Sequence, residues 1–180
     1  KLGQIFKAVG LLPTDKVVEK ERKSLLSTIK NETAKLVDKA CDEAMGGILF
    51  IDEAYSLMPA NDGGSKDSEG VEAVESLMTR MVKDAGKFVV ICAGYRTQMD
   101  EFINNANPGF RRRFSHFLHI EDYSLNQLIN IFNSIISKKG NTLTDEAEKT
   151  FARLVDEMVL SKNENFGNAA EMVKLFEKIK

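Results

Sequence analysis

A run of apolar residues ending in two adjacent carboxylates is the first feature of this chain that suggests chemistry. Gly47-Ile48-Leu49-Phe50-Ile51-Asp52-Glu53-Ala54-Tyr55 sets four large apolar side chains directly before Asp52 and Glu53. Such an uninterrupted run reads as a strand buried on both faces. The C-terminal end of such a strand is where open α/β sheets bind ligands. Two acids delivered there suit transfer of a phosphoryl group from ATP, which needs Mg2+ held by oxygen ligands and a water aimed at the γ-phosphate. Asp52 would orient the Mg2+ shell, largely through water, and Glu53 would polarise the attacking water. A strand ending in two surface acids would look the same, so strand context and the residues downstream must decide.

Two further stretches bear on that decision. Phe88-Val89-Val90-Ile91-Cys92-Ala93-Gly94-Tyr95 is a second apolar run that ends in small and polar residues. A polar group there would sit beside the γ-phosphate and report hydrolysis; taken alone, the stretch reads as a core strand running into a turn. Asn107-Pro108-Gly109-Phe110-Arg111-Arg112-Arg113-Phe114 carries three consecutive arginines. Arginines on a loop are usually solvated, yet the guanidinium fork matches phosphate geometry.

These residues need elements to hold them. Residues 1–9 read as the tail of a helix, with Leu2, Ile5, Phe6 and Val9 at helical spacing and Gly10 as its stop. Val17 to Glu21 suits a short strand. Residues 32–45 suit a helix that Asn31 can cap, with Leu36, Val37, Ala40, Cys41 and Ala44 on one face and Gly46-Gly47 ending it. Residues 59–70 read as a polar loop. Val71, Val74, Leu77, Met78 and Met81 mark the next helix, and Met99, Phe102 and Ile103 a shorter one. A further strand is expected near Phe117 to Glu121. Helix and strand alternate, which argues for a parallel sheet with right-handed crossovers. The last third is helical throughout. Ser124 with Gln127 forms a capping box for a helix through Lys139. Thr144 opens a second helix, and Asn168 with Glu171 a third. The expected fold is therefore α/β: a parallel-sheet core over residues 1–122, then a small helical lid over 123–180.

Bulk properties exclude several classes. The 180 residues are 43% apolar, enough for one sizeable domain with an appendage. A net charge of -2, from 25 basic and 27 acidic side chains, gives no reason to expect a nucleic-acid or membrane partner. No apolar run is long enough to span a bilayer. Cys41 and Cys92 lack metal-ligand spacing and read as reduced core residues of a cytosolic-type protein. His116 and His119 read as surface or packing residues.

The strings "GGILFIDEAYSL", "VVICAGY", "MDEFINNANPGFRRRF" and "EDYS" resemble the CbxX/CfxQ branch of AAA+ ATPases, which includes red-type rubisco activases, the stage V sporulation protein K group and type VII secretion ATPases. The likeness runs over essentially the whole chain and is strongest from Gly46 to Ser124. It implies a P-loop NTPase core with a helical lid, ATP and Mg2+ as cofactors, and a ring, expected to be a hexamer, that remodels protein complexes in the cytoplasm or a plastid stroma. By the same likeness Asp52 and Glu53 match the Walker B pair, and Tyr95 falls at the sensor-1 position. Arg113 matches the finger arginine that reaches the neighbouring subunit's nucleotide, with Arg112 as second choice.

The sequence departs from that pattern in places. The phosphate-binding Walker A loop would lie upstream of Leu2-Gly3, so the core is expected to be incomplete at its N-terminus and the 180 residues alone to bind nucleotide poorly. Ile29-Lys30-Asn31 stands where the family has an aromatic pore loop. Ala170 stands at the sensor-2 arginine, which would weaken the response to nucleotide. These features keep a non-hydrolysing AAA+ scaffold or regulatory subunit as the alternative. A helicase-type ATPase, suggested by Asp52-Glu53-Ala54-Tyr55, fits less well because of the helical lid.

Overall fold

The computed structural model describes residues 1–29, 32–58, 67–163 and 166–179. The core of the first part is a parallel three-stranded sheet in the order β1-β2-β3, formed by β1 (Val17–Lys20), β2 (Ile48–Ile51) and β3 (Val89–Cys92). Ile48 pairs with Val17 on one side and Val89 on the other, and Ile51 pairs with Lys20 and Cys92. The central position of β2 accounts for its uninterrupted apolar run: Ile48, Leu49 and Ile51 are all but inaccessible, as expected of a strand with both edges paired. Gly47, just before β2, has no room for a side chain, because a Cβ there would strike the Lys16 carbonyl.

Helices fill the connections. α1 (Leu2–Ala8) precedes β1 and stops before Gly10, whose φ of 75° is the left-handed geometry glycine adopts at no steric cost. α2 (Arg22–Leu25) and α3 (Thr33–Glu43) link β1 to β2. A 3-10 turn (Ala54–Leu57) and α4 (Ser68–Lys83) link β2 to β3. Val37, Ala40 and Cys41 of α3 and Ala73, Val74 and Leu77 of α4 join Leu49 and Ile51 in one apolar cluster. α5 (Arg96–Asn105) and α6 (Pro108–Arg111) follow β3 and add Phe102 and Phe110 to it. Burial raises the Cys41 thiol to about 11, so at neutral pH it packs as a protonated thiol rather than reacting.

The chain divides into two compact units, Lys1–Leu118 and His119–Lys180. The second unit consists of α7 (Leu125–Lys138), α8 (Asp145–Leu160) and α9 (Ala169–Ile179). Its own core gathers Leu128, Phe132, Ile136, Phe151, Val155 and Met172. Phe132 and Phe151 stack with centroids 3.9 Å apart. Among the described residues no helix is long and apolar enough to cross a membrane.

Several expectations hold at the level of single caps. Ser124 accepts from Gln127 N while the Gln127 side chain accepts from Ser124 N, which is the capping box read from the sequence. Thr144 accepts from Ala147 N and opens α8. Three expectations are corrected. Residues 117–121 form no strand: Leu118 is 89% and Ile120 90% exposed, and among the described residues no neighbouring strand supplies the ladder that an apolar stretch needs. The polar loop is shorter at its C-terminal end than expected, because Asp67 accepts from Gly70 N and starts α4 at Ser68; residues 59–66 lie outside the described residues. Asn168 does open α9, which starts at Ala169 with Glu171 N donating to the Asn168 carbonyl, but its side chain does not cap the helix and instead accepts from Tyr123 N and donates to Asp122. The proposed cap Asn31 and the pore-loop position Lys30-Asn31 also lie outside the described residues; Ile29 beside them is exposed.

Candidate functional site

Asp52 and Glu53 leave the sheet at the C-terminal end of β2, and both side chains are exposed. The turn that carries them is held from both neighbouring strands. Asp52 N donates to Lys20 O of β1 at 2.9 Å, and Ala54 N donates to Ala93 O beyond β3 at 2.9 Å. Between these two anchors Glu53 adopts φ 46° and ψ 45°. A left-handed residue other than glycine costs about 1–2 kcal/mol and persists only where its surroundings impose it. The carbonyl of Glu53 then accepts from Ser56 N at 2.7 Å, which closes the 3-10 turn. The Asp52 Oδ1 atom accepts from Glu53 N at 3.0 Å, which orients the carboxylate.

Tyr95 lies next door, because the register places Cys92 opposite Ile51. Its ring centroid is 6.4 Å from that of Tyr55. Tyr55 fills the space over Gly94: a Cβ at Gly94 would come within 2.7 Å of the ring. The Tyr55 hydroxyl is held above its ordinary pKa, first by burial and then by the nearby Glu53 charge. Sequence reasoning included Tyr55 in the motif but gave it no task. The signal was present in the pairing of an aromatic after the acids with a Gly-Tyr at the end of the next strand.

The arginines are placed differently. Asn107 accepts from Gly109 N to start α6, and the fully buried Phe110 packs edge-on against Phe102 and Phe114. Arg111 stacks on the Phe117 ring, 4.9 Å from its centroid. Arg112 and Arg113 follow, exposed. The structure therefore sets the Tyr95 ring beside that of Tyr55, which adjoins Glu53, and presents Arg112 and Arg113 to solvent. Ala170, in the first turn of α9, is exposed as well.

The donor set fits a hydrated Mg2+ better than a caged metal. Among the described residues there is no cluster of three or more His, Cys, Asp or Glu side chains suited to a metal. A lone strand-end carboxylate of Asp52's kind matches Mg2+ that keeps most of its waters and shares its remaining ligands with phosphate. Arg22 and Glu53, with Glu21, Leu26, Ser56 and Glu69, line an open cavity of about 720 Å3 beside the turn.

A buried parallel strand ending in an acid pair and a separate three-helix unit define an α/β core followed by a helical domain. Residues 5–122 match the family model for the ATPase family associated with various cellular activities (AAA), and residues 124–180 match the AAA lid domain. The chain belongs to the AAA family of ATPases and comprises a core followed by a lid. It is 34% identical over 157 residues to the ESX-1 secretion system protein EccA1 of Mycobacterium tuberculosis, covering 87% of this chain and 27% of that protein. It is 37% identical over 147 residues to stage V sporulation protein K of Bacillus subtilis, covering 82% of this chain and 44% of that protein. A third relative is the ESX-3 secretion system protein EccA3 of Mycobacterium leprae, 31% identical over 157 residues, 85% of this chain and 24% of that protein. The chain thus spans less than half the length of these relatives. Together they accord with the CbxX/CfxQ-like resemblance read from the sequence.

Proposed function

We propose that this chain is the hydrolytic module of a ring-forming AAA+ ATPase that remodels protein complexes. The observation that carries the reading is the strained presentation of Glu53 at the end of the buried strand β2, beside Asp52 and next to the strand that bears Tyr95. In this reading Asp52 holds the metal shell through water. Glu53 accepts hydrogen bonds from the attacking water and takes up its proton. Tyr95 reports the state of the phosphate from the adjacent strand. Bound Mg2+ and ATP supply the phosphoryl group and neutralise the charge that develops on it. Arg113, with Arg112 as second choice, projects from the surface to act on a nucleotide held by a neighbouring subunit, which accords with its exposure in a single chain. The target is a protein complex, as the CbxX/CfxQ-like resemblance implies.

Steady-state ATP turnover by the protein in its natural length tests this. Glu53→Gln is expected to keep nucleotide binding and to lower kcat by about 10²–10⁴-fold, the span for loss of a positioned base. Undiminished turnover would remove Glu53 from the chemistry. A second reading, an assembling but non-hydrolysing subunit, is favoured by the uncharged Ala170 in the lid. It predicts nucleotide-dependent assembly with negligible turnover in the unmodified protein, so the same assay separates the two.

A further inference from the structure

Two residues, Lys20 at the end of β1 and Arg22 just after it, hold the Glu53 turn on both sides. Lys20 O accepts from Asp52 N immediately before Glu53. Two residues on, Arg22 reaches the far side. Its Nη1 donates to Ser56 O at 2.5 Å and to Leu57 O at 3.0 Å. These carbonyls close the 3-10 turn and have no partner within it. Its Nη2 donates to Asp67 Oδ2 at 2.7 Å, while Asp67 Oδ1 accepts from Gly70 N at 2.9 Å and caps α4. One guanidinium therefore joins the end of the acid-bearing turn to the start of the next helix. The chain of bonds is short: Glu53 O accepts from Ser56 N, and Ser56 O accepts from Arg22. The two bonds lie on the peptides either side of the Ser56 Cα, so the outer bond fixes the orientation of the residue that makes the inner one.

We propose that Arg22 is a positioning residue for Glu53: its fork on the Ser56 and Leu57 carbonyls and on Asp67 keeps the Glu53 peptide in the left-handed turn that presents the carboxylate. Lysine cannot replace it, because an ammonium is a point donor and lacks the planar fork that spans three acceptors. Arg22 touches neither substrate nor reacting atoms in this assignment; it acts through the backbone of residue 53. The inference rests on the role given to Glu53 above, and it adds β1 and α2 as the elements that set the geometry of the acid. A partner that moved the residues after Arg22 would reach the hydrolytic site by this route.

The test uses the natural-length protein and the variants Arg22→Lys, Arg22→Gln and, for reference, Glu53→Gln. Amide hydrogen exchange in the nucleotide-free protein is the first readout. Arg22→Lys and Arg22→Gln are expected to speed exchange at Ser56 and Gly70 by about tenfold or more, with the β2 and β3 amides unchanged. The second readout splits binding from turnover: nucleotide affinity stays within about threefold while kcat falls by about tenfold or more, the cost of a misplaced group. Unchanged Ser56 exchange in both Arg22 variants overturns the proposal. So does equal loss of protection across β2, or parallel loss of nucleotide affinity, since either marks a merely structural residue. If Glu53→Gln keeps full turnover, the hydrolytic reading of Glu53 fails, while the exchange data still decide whether Arg22 holds the turn.

Discussion

Glu53 carries a long charged side chain at a backbone position that glycine would occupy without steric cost. Strain kept at such a place is a sign that the side chain is wanted there. Replacement by glycine should therefore separate stability from function. Glu53→Gly is expected to raise stability by about 0.5–1 kcal/mol or leave it unchanged, since relief of the left-handed strain offsets the added freedom of the unfolded chain. Glu53→Gln, which keeps the strain, should show no such gain; chemical-denaturation midpoints of the two variants make the comparison. At this scale the sequence was readable where chemistry and local pattern coincide. Asp52 and Glu53 stood out because an apolar run led into them, and Arg111 to Arg113 because they adjoin. The left-handed turn was not readable, because nothing in Glu53-Ala54-Tyr55 departs from ordinary composition. Arg22 was not readable either: its acceptors at Ser56, Leu57 and Asp67 lie 34 to 45 positions away, and only the pairing of β1 with β2 brings them within reach.

The elements are joined by a second guanidinium, that of the buried Arg80, which fixes α4 against α3. It donates to Asp84 Oδ2 at 2.8 Å, to Asp42 Oδ1 at 2.6 Å and to the Asp38 carbonyl at 3.1 Å. Burial works against the Arg80 charge, but the bonds to Asp42, Asp84 and Asp38 outweigh it and raise the pKa further. Truncating one partner of a buried pair costs about 3–5 kcal/mol, and the water still available to Asp38 and Asp42 places Arg80→Met nearer the low end. The urea midpoint of the first unit should drop accordingly. The same contact predicts a direction with pH. Hydrogen bonds from Lys87 and Arg80 hold Asp84 below the ordinary carboxylate value of 3.8. A carboxylate with a depressed folded pKa contributes stability above its unfolded pKa and loses it as pH falls through the folded one. Wild-type stability should therefore fall below about pH 4, and Arg80→Met should flatten that fall. Two side-chain caps, Ser124-Gln127 and Thr144, were predictable because a cap is a local bond, whereas the Asp67 cap of α4 was hidden within a run of polar loop residues. Residues 117–121 misled because an apolar stretch reports burial preference, whereas a strand also needs a partner edge. The four-residue α2 and the 3-10 turn are too short to show a period.

At the scale of the whole molecule the alternation of helix and strand, and then its replacement by helices alone, was enough to anticipate a parallel-sheet core followed by a lid. The physical basis is that the two parts have separate interiors. The first gathers around Leu49, Ile51, Leu77 and Phe110, the second around Leu128, Phe132, Val155 and Met172, and the two clusters share no residue. The second unit is also tied within itself by polar contacts, for Asp122 accepts from Lys162 Nζ at 2.8 Å and from Asn168 Nδ2 at 2.9 Å. Separate cores imply that damage to one should stay there. Phe132 is almost wholly buried and stacks on Phe151, so Phe132→Ala removes both its own burial and the stacking partner, a loss of about 3–5 kcal/mol for a core phenylalanine. Amide exchange should then show α7, α8 and α9 losing protection while β1, β2 and β3 keep theirs. Equal loss in the sheet would mean that the two units unfold as one cooperative body. A confined loss would show instead that the lid can loosen without disturbing the strand ends that carry Asp52, Glu53 and Tyr95, which a lid that rearranges during turnover requires.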